Sequence, residues 1–570
     1  MAKVANVVVD ALVKAGARRC WGIVGDTINH FTDAVRESDL RWIHVRHEEV
    51  GGLAAGGEAY FTGELAVCAG TCGPGSLHFV NGIFESHRNG APVVLIASDV
   101  ARTEAGLGFP QEVDQRKIYE QHSVFCEYIS HPDQARRITV QAAQAALTKG
   151  GVAVVIVNGD MFEEDTQDEL PWSVHRPRSR LVPADDELDA LAERLNSADT
   201  VTLYAGIGAR DAMPQLLALA EKLAAPIAHT SRSKEFIEPG NAYNVGMIGI
   251  LGNKAGVEAV DGADVMFCLG TDFAYTQFYP GQDKIIQIDR DPAHIGRRSP
   301  VGMGLVGDIG PTVATLIDRL DQKDDTKHLE ATRQQWKKDL DGYEDEAKES
   351  DPSLIHPQFV TQTLDRLASQ DAIFTADGGS PMVWLLRHLT ANGDRRFLTS
   401  LLHGTMANAY PQAMGAVAAY PERQVISMCG DGGLTMLMGD LLTLKQEKLP
   451  IKILIYNNGS LGFVEMEQRV EGLLDSYTGL ENPDFARLAE VCGLKGIHVE
   501  SADDLEGAMT EWLDTDGPAI LDVRVNRMEL VMPPKVETGQ VASTALFGIK
   551  AVLDGRAREV VSLLRDNFLR

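Results

Sequence analysis

The stretch CGDGGLTMLMGDLLTLKQEKLPIKILIYNNGSLG, from Cys429 to Gly462, places polar residues after two short apolar runs. Asp431 lies in a glycine-rich turn after the run QVISMCG, and Asn458 follows the run IKILIYN. The residues between the two runs are typical of a helix, so the pattern predicts a strand, a helix and a second, parallel strand. In such a unit the carboxyl ends of both strands open at one edge of the sheet. We therefore expect Asp431 and Asn458 to meet there.

The residues at this edge have the chemistry of a metal-bound diphosphate site. Carboxylate and amide oxygens suit Mg²⁺ or Ca²⁺, whose other ligands are commonly phosphate oxygens and water. The glycines at 430, 432 and 433 allow a tight turn and a close approach of backbone amides to an anion at a helix start. Taken singly, the turn and the asparagine pair are typical of ordinary loops, but together they indicate a site. The chain has no GxxxxGK[ST] stretch and so does not match a P-loop.

Composition excludes several classes of protein. The chain has 570 residues, with 53 Lys and Arg against 81 Asp and Glu, and a net charge of −28. Such a charge repels nucleic acid at long range, so we expect no nucleic-acid partner. The 7 cysteines are scattered in apolar runs, which favours buried thiols in a reducing cytoplasm over disulfides or zinc sites. No apolar run approaches the ~20 residues that cross a bilayer.

The organisation of the chain follows from alternating apolar and helical stretches. Runs such as PVVLIAS (92–98), VAVVIV (152–157) and IIQID (285–289) are typical of parallel sheets covered on both faces. Polar stretches at roughly 163–187 and 321–352 are typical of connectors. The predicted fold class is α/β with three doubly wound parallel-sheet domains, and the predicted bounds are 1–182, 183–335 and 336–530, with a final segment at 531–570.

The opening stretch also resembles the motif of thiamine diphosphate enzymes, in which GDG is followed after about two dozen residues by NN. The resemblance extends over essentially the whole chain to the pyruvate oxidase family, and it is closest to the quinone-reducing pyruvate dehydrogenases of bacteria. Several distinct motifs in the same order make it specific. The stretches that carry it are WGIVGDTIN (21–29), VRHEEVGGLAAGGEAY (45–60), GELAVCAGTCGPGSLHFVNGIFESHRNGAPV (63–93), VGMIGILG (245–252), LGTDFAYTQFYP (269–280), IIQIDRDPAHIG (285–296), HGTMANAYPQAMG (403–415) and MCGDGG (428–433).

The resemblance implies a pyrimidine-binding domain, a central FAD-binding domain and a diphosphate-binding domain. Thiamine diphosphate would lie between the first domain of one subunit and the third domain of its neighbour, in a homodimer or, more usually, a homotetramer. Asp431 and Asn458 match the Mg²⁺ ligands, with Ser460 contributing its backbone carbonyl. Glu48 matches the glutamate that binds the pyrimidine ring, and Met406 matches the apolar side chain that supports the bent cofactor. Further implied contacts are His403, Gly404, Thr405, Gly432, Gly433, Leu461, Gly462 and Phe463.

The middle domain carries the implied flavin site. Gly206 and Gly208 follow an apolar run without completing GxGxxG, so alone they are weak evidence for a dinucleotide. Without the resemblance, Asp289 and Asp308 would be equally typical of solvated loops, and some relatives keep this domain without redox use of the flavin. The implied FAD contacts are Ile248, Gly249, Ile250, Leu251, Thr271, Asp272, Phe273, Ala274, Tyr275, Asp289 and Asp308.

The activity implied by the resemblance is oxidative decarboxylation of pyruvate to acetate and CO₂, with electrons passing through FAD to a membrane quinone. Glu48 is an implied catalytic residue as well as a cofactor contact. Gln111, Phe463 and Glu467 match catalytic positions around the reacting groups, whereas Pro110 stands where the closest quinone enzymes have an aromatic residue. Alternatives are a phosphate- and O₂-dependent pyruvate oxidase and an enzyme like acetolactate synthase. A third alternative is a membrane-associated flavin-binding module without catalysis.

The last 26 or so residues indicate how the protein could reach its electron acceptor. From Ala545 to Arg570, apolar residues recur at three- and four-residue steps, and basic residues outnumber acidic ones. A basic amphipathic segment of this kind can lie in a lipid surface, and it resembles the family segment that brings the reduced enzyme to membrane quinone. The expected location is therefore the cytoplasm with reversible peripheral membrane contact. The pattern is equally typical of a terminal helix docked on its own domain.

Overall fold

The computed structural model describes residues 2–168, 170–177, 179–348 and 354–529. Within these residues the chain forms three six-stranded sheets, one after another along the sequence. All neighbouring strands in the three sheets are parallel, and helices connect them. This confirms the predicted α/β class with three parallel-sheet domains.

The first domain contains a parallel sheet and a short ribbon. Its strands are β1 (Ala2–Lys3), β2 (Arg19–Gly22), β3 (Arg41–His44), β4 (Ala66–Gly70), β5 (Val93–Asp99), β6 (Phe125–Tyr128), β7 (Val152–Asn158) and β8 (Asp165–Thr166). Its helices are α1 (Val4–Lys14), α2 (Asn29–Arg36), α3 (Glu48–Thr62), α4 (Pro74–Leu77), α5 (Val80–Arg88), α6 (Gln115–Tyr119) and α7 (Ala135–Lys149). The sheet order is β3-β2-β4-β5-β7-β6, and β1 pairs with β8 in the antiparallel ribbon. Alternate residues of its central strands belong to two hydrophobic clusters, so both faces are buried.

The middle domain has a different strand order. Its strands are β9 (Val201–Ala205), β10 (Ile227–His229), β11 (Asn244–Met247), β12 (Val265–Leu269), β13 (Ile285–Asp289) and β14 (Met303–Val306). Its helices are α8 (Asp185–Ser197), α9 (Met213–Leu223), α10 (Lys234–Ile237), α11 (Lys254–Asp261), α12 (Ile309–Leu316) and α13 (Lys327–Glu346). The order β11-β10-β9-β12-β13-β14, counted within the domain as 3-2-1-4-5-6, is that of doubly wound folds that bind dinucleotides.

The third domain repeats the topology of the first. Its strands are β15 (Ile373–Ala376), β16 (Arg396–Thr399), β17 (Val425–Gly430), β18 (Lys452–Asn457), β19 (Lys495–Val499) and β20 (Ala519–Arg524). Its helices are α14 (Pro357–Leu367), α15 (Ser380–His388), α16 (Ala409–Ala419), α17 (Asp431–Leu437), α18 (Leu441–Glu447), α19 (Gly462–Val470), α20 (Phe485–Val491) and α21 (Ala502–Asp514). The order is β16-β15-β17-β18-β20-β19. Counted within each domain, the first and third parallel sheets share the order 2-1-3-4-6-5.

The first and third domains pack directly on each other through α3 and α16. A Cβ atom on Gly57 would overlap the backbone of Gln412, and one on Gly415 would overlap the backbone of Ala54. Glycine at these two positions therefore lets the helices approach at backbone distance. One hydrophobic cluster continues from the first sheet through these helices into the third. The outer domains thus share a core.

The second predicted connector contains a long helix. Helix α13 covers most of it, and Asp339 on this helix accepts hydrogen bonds from Asn253 Nδ2 at 3.0 Å and from the Ala255 backbone at 2.7 Å. The predicted boundary between residues 335 and 336 falls inside α13. The predicted segment 531–570 lies outside the described residues. Among the helices that the structure describes, none combines the length and apolar character needed to cross a membrane.

Candidate functional site

The residues that opened the sequence analysis lie at the carboxyl edge of the third sheet. Strand β17 ends at Gly430 and Asp431 begins α17, while Asn458 directly follows the neighbouring parallel strand β18. The two segments are in contact, since Oδ2 of Asp431 accepts a hydrogen bond from the backbone N–H of Gly459 at 2.7 Å. The strand–helix–strand unit brings them together as its spacing predicts.

A cavity of about 310 Å³ opens at this edge. Its lining residues all lie between Pro357 and Glu529, so among the described residues only the third domain lines it. Most of the predicted thiamine diphosphate contacts line it, namely Gly404, Met406, Asp431, Gly432, Gly433, Asn458, Ser460, Leu461, Gly462 and Phe463. Three members of that set do not line it. Glu48 lies in the first domain, whereas His403 and Thr405 lie in the same loop as Gly404 and contact Asn81 of the first domain at 2.7 and 2.9 Å.

The cavity suits a diphosphate because three helices begin at its wall. The first residues of α15, α17 and α19 are Ser380, Asp431 and Gly462, and all three line the cavity. The unpaired backbone N–H groups and the dipole of a helix start favour an anion. Gly433 has a further role, because a Cβ atom there would overlap the carboxylate of Asp377. Glycine is therefore required at this position by the packing of the protein itself.

The donor set fits a hard cation. Asp431 is 2% exposed, and burial raises the pKa of its carboxyl group. Its Oδ2 atom also accepts from Asn482 Nδ2 at 2.7 Å, and Asn458 Oδ1 accepts from the Ser460 backbone at 2.9 Å. Among the described residues, no group of three or more His, Cys, Asp or Glu side chains is arranged to hold a metal. A cation here would therefore need amide, carbonyl and phosphate oxygens as well, which suits Mg²⁺.

The sequence prediction missed two polar residues, Asp377 and Asn482, that hydrogen-bond the backbone or side chains of this site. Asp377 lines the cavity and is 2% exposed; its carboxylate accepts from the backbone N–H groups of Ala409 at 3.0 Å and Gly430 at 3.1 Å. The stretch ADGG at 376–379 repeats the pattern of an aspartate and glycines after a strand, so the sequence carried a signal for it. Asn482 has no comparable signal, because it lies in an irregular segment.

Glu48 and Gln111 lie elsewhere, at the carboxyl edge of the first sheet, and neither lines the third-domain cavity. Glu48 begins α3 and is 7% exposed, and its Oε2 atom lies 2.9 Å from Nδ1 of His78, whose ring stacks on His47. Gln111 has a left-handed backbone with φ of 70° and accepts a hydrogen bond from Cys72 at 3.2 Å. Both residues adjoin the glycine-containing loop that follows β4.

The remaining predicted catalytic residues lie on α19. Phe463 lines the cavity, whereas Glu467 is exposed one turn further along the helix and does not line it. Partial burial and the nearby Glu471 carboxylate raise the pKa of Glu467. Of these two residues, Phe463 therefore lies at the cavity with the predicted metal ligands and Glu467 does not.

Nine of the eleven predicted flavin contacts lie in two loops that meet at the carboxyl edge of the middle sheet, and the other two, Asp289 and Asp308, lie at the end of β13 and just after β14. Gly249, with φ of 125°, follows β11, and a Cβ atom there would lie 3.0 Å from the ring of Phe273, which follows β12. The backbone at Ile248, Ile250, Leu251, Thr271, Ala274 and Tyr275 belongs to the same two loops. In contrast, Gly206 and Gly208 pack against the backbone of Gly270, so their small size is already required by the protein itself.

The predicted acidic contacts of the middle domain are engaged by protein groups. Asp272 accepts from Nε of Arg297 at 2.8 Å, a basic partner that the sequence prediction missed. Asp289 lies 3.3 Å from Nδ1 of His294. Asp308 accepts from the backbone of Leu181 at 2.8 Å, which ties the first connector to the start of α12. A bound adenosine would have to share or replace these partners.

Comparison with known proteins agrees with this architecture. The chain matches the N-terminal TPP-binding domain of thiamine pyrophosphate enzymes at residues 2–118, their central domain at 188–316 and their C-terminal TPP-binding domain at 377–523. The chain belongs to the thiamine pyrophosphate-dependent enzyme family.

Three relatives span nearly the whole chain. The Bacillus subtilis (strain 168) protein YdaP, described as thiamine pyrophosphate-containing, is 36% identical over 98% of this chain and 97% of its own length. The pyruvate oxidase of Lactiplantibacillus plantarum is 29% identical over 87% of this chain and 84% of its own length. The large subunit of acetolactate synthase isozyme 2 of Escherichia coli is 28% identical over 93% and 96%, respectively.

Proposed function

We propose that this protein oxidatively decarboxylates pyruvate to acetate and CO₂ with thiamine diphosphate and Mg²⁺, and that electrons pass through FAD to a membrane quinone. The observation that carries the proposal is the cavity where Asp431, Asn458 and three helix starts meet, because it combines hard-oxygen ligands with an anion-binding wall. The likeness to a pyruvate oxidase supports pyruvate as the substrate.

Bound thiamine diphosphate would supply a carbon nucleophile and an electron sink for the loss of CO₂ from a 2-oxo acid. Asp431, Asn458 and the backbone carbonyl of Ser460 would hold the cation. Met406 and Leu461 line the apolar side of the same cavity and would exclude water there. Glu48 would hydrogen-bond the pyrimidine end of the cofactor, since its carboxylate is buried and oriented by His78.

FAD binding by the middle domain is supported by its strand order and by the two loops that meet after β11 and β12. Helix α15 connects the loop after β11 with the cavity. Arg387 on this helix donates from Nε to the carbonyl of Leu251 at 3.2 Å, while Trp384 lines the cavity. We expect the purified protein to show a flavin spectrum that bleaches when pyruvate is added without oxygen. A flavin-free protein, or a spectrum that pyruvate leaves unchanged, would contradict this part of the proposal.

The proposed electron acceptor, location and assembly rest on the sequence pattern and the resemblance. The segment 531–570 would carry the protein reversibly from the cytoplasm to a lipid surface and its quinone. The active form would be a homo-oligomer, either a dimer or a tetramer. Anaerobic turnover measured with a soluble dye, with quinone in anionic vesicles and with oxygen tests the acceptor; turnover that requires oxygen and phosphate would instead indicate an oxidase that forms acetyl phosphate.

A second candidate function is carboligation of two pyruvate molecules to acetolactate, with release of one CO₂. The likeness to acetolactate synthases, over a larger share of the chain than to the pyruvate oxidase, favours keeping it. Product analysis discriminates between the two functions, because carboligation needs no electron acceptor. Acetolactate formed anaerobically without any acceptor would select the synthase, whereas acetate formed only with an acceptor would select the oxidative reaction.

A further inference from the structure

A buried carboxylate of the first domain contacts the third domain behind the cavity. Glu85 lies on α5 and is 1% exposed. Its Oε2 atom accepts from the hydroxyl of Ser400 at 2.7 Å, and its Oε1 atom accepts from Asn89 Nδ2 at 2.7 Å and Gln412 Nε2 at 3.2 Å. Burying a carboxylate costs free energy unless it accepts hydrogen bonds, so the hydrogen bonds from these donors to Glu85 are strongly favoured. Two of the three donors belong to the third domain.

The first branch of this network reaches the loop between β16 and α16. The Ser400 oxygen that donates to Glu85 also accepts from the backbone N–H of Thr405 at 2.9 Å. Ser400, Gly404 and Met406 line the cavity. Ser400 therefore joins the two ends of this loop segment to each other and, through Glu85, to the first domain.

The second branch reaches the start of α15. Gln412 Oε1 accepts from Asn408 Nδ2 at 2.9 Å, and Asn408 Oδ1 accepts from the backbone N–H of Gly378 at 3.0 Å. Gly378 lines the cavity just before the helix that begins at Ser380. Two separate walls of the cavity are thus connected to one carboxylate.

We propose that Glu85 is a positioning residue through which the first domain fixes the shape of the diphosphate cavity, by way of Ser400 and Gln412. This inference rests on the proposed function, because the ligand it serves is the diphosphate of the cofactor. Glu85 does not line the cavity and acts only through the two segments it holds. Loss of its hydrogen bonds would leave two buried donors, on Ser400 and Gln412, without their acceptor and release both walls.

The test compares variants that remove or keep these hydrogen bonds. Glu85→Ala should raise the dissociation constant of thiamine diphosphate, measured by calorimetry at saturating Mg²⁺, by about 10- to 100-fold, as is typical for partners that orient ligand-binding groups. Amide hydrogen exchange should accelerate in peptides containing Gly378 and Thr405. Glu85→Gln should restore most of the affinity, because its amide oxygen can accept from Asn89 and Gln412 while its NH₂ group donates to Ser400. Ser400→Ala removes one branch and should accelerate exchange at Thr405 only.

Glu58→Ala provides the matched control. Glu58 is a buried carboxylate of the same domain, but its side-chain partners, Trp21 at 2.8 Å and Arg19 at 3.4 Å, both belong to the first domain. This variant should lower the melting temperature without changing the cofactor affinity.

Three results would overturn the positioning role. They are wild-type affinity and exchange in Glu85→Ala, failure of Glu85→Gln to restore binding, and equal loss of affinity in the Glu58→Ala control. If the wild-type protein binds no thiamine diphosphate, the proposed function fails instead. Amide exchange at Gly378 and Thr405 then still decides whether Glu85 positions these segments.

Discussion

Two buried carboxylates at neighbouring strand ends have different tasks in the third domain. Asp377, after β15, binds the backbone of Ala409 and Gly430, and burial raises its pKa to about 7. Asp431, after β17, binds the loop that contains Asn458. Asp377 therefore holds the backbone of the glycine turn in place, whereas Asp431 belongs to the segment that would bind the cation.

Replacing Asp431 with alanine should weaken cofactor binding. The change removes the only carboxylate among the proposed cation ligands and leaves the buried Gly459 N–H without its acceptor, which costs about 1–3 kcal/mol. We expect a higher Mg²⁺ concentration for half-maximal binding of thiamine diphosphate, measured by tryptophan fluorescence. Asp440→Asn is the control, because Asp440 is equally buried but does not line the cavity. Saturation curves identical to wild type would refute metal ligation by Asp431.

Glu58 should make the first domain more stable at acidic than at neutral pH. Burial raises the pKa of Glu58 to about 7, whereas a glutamate in an unfolded chain titrates near 4.3. The native state therefore binds the proton more tightly, and the stability this confers is present below about pH 4 and lost as pH rises towards 7. In Glu58→Gln, the fall in the free energy of unfolding between pH 5 and 8 should shrink by about 2–3 kcal/mol. Urea unfolding with the same pH dependence as wild type would contradict this.

At the scale of elements, the cavity depends on how closely the start of α17 packs against β15. The overlap that a Cβ atom at Gly433 would make with Asp377 cannot be relieved easily, because two backbone N–H groups hold that carboxylate. The close packing of Gly433 against Asp377 therefore fixes the position of the Asp431 backbone at the start of α17.

Gly433→Ala should displace this helix start and lower both stability and thiamine diphosphate affinity. Overpacking of this kind typically costs about 1–3 kcal/mol. Gly439→Ala is a close control, because nothing lies within 4 Å of a Cβ atom at Gly439. Thermal unfolding and calorimetric titration of both variants provide the readout, and indistinguishable behaviour of the two would show that the close packing is unimportant.

Local sequence pattern was enough to predict the three parallel-sheet domains and the meeting of Asp431 with Asn458. Both follow from the alternation of apolar runs and from the geometry of one strand–helix–strand unit. The network of Glu85 could not be predicted in this way, because Ser400 and Gln412 lie more than 300 residues away along the chain. Asn482 was missed for a similar reason, since it reaches Asp431 from an irregular segment.

At the scale of the whole molecule, the proposed site is divided between two domains. In the part of the chain that the structure describes, all cavity-lining residues belong to the third domain, whereas Glu48 and Gln111 lie at the carboxyl edge of the first sheet. The shared core of α3 and α16 fixes the first and third domains of one chain against each other. As the resemblance to the pyruvate oxidase family implies, we propose that the first domain of a second copy completes each site.

Subunit complementation tests this arrangement. Glu48→Gln and Asp431→Ala should each be inactive alone, but a mixed dimer would contain one site without either substitution. Co-expression in equal amounts should therefore restore roughly a quarter of wild-type turnover in a symmetric dimer. No recovery in mixed dimers, verified by two affinity tags, would indicate that each chain forms its own complete site.

A crystal structure of the protein with thiamine diphosphate and Mg²⁺ tests the central claim most directly. We expect the cation to lie about 2.0–2.1 Å from side-chain oxygens of Asp431 and Asn458 and from the backbone carbonyl of Ser460, with diphosphate oxygens and water completing an octahedron. A diphosphate bound away from the starts of α15, α17 and α19, or a cation that lacks Asp431 and Asn458 as ligands, would contradict it.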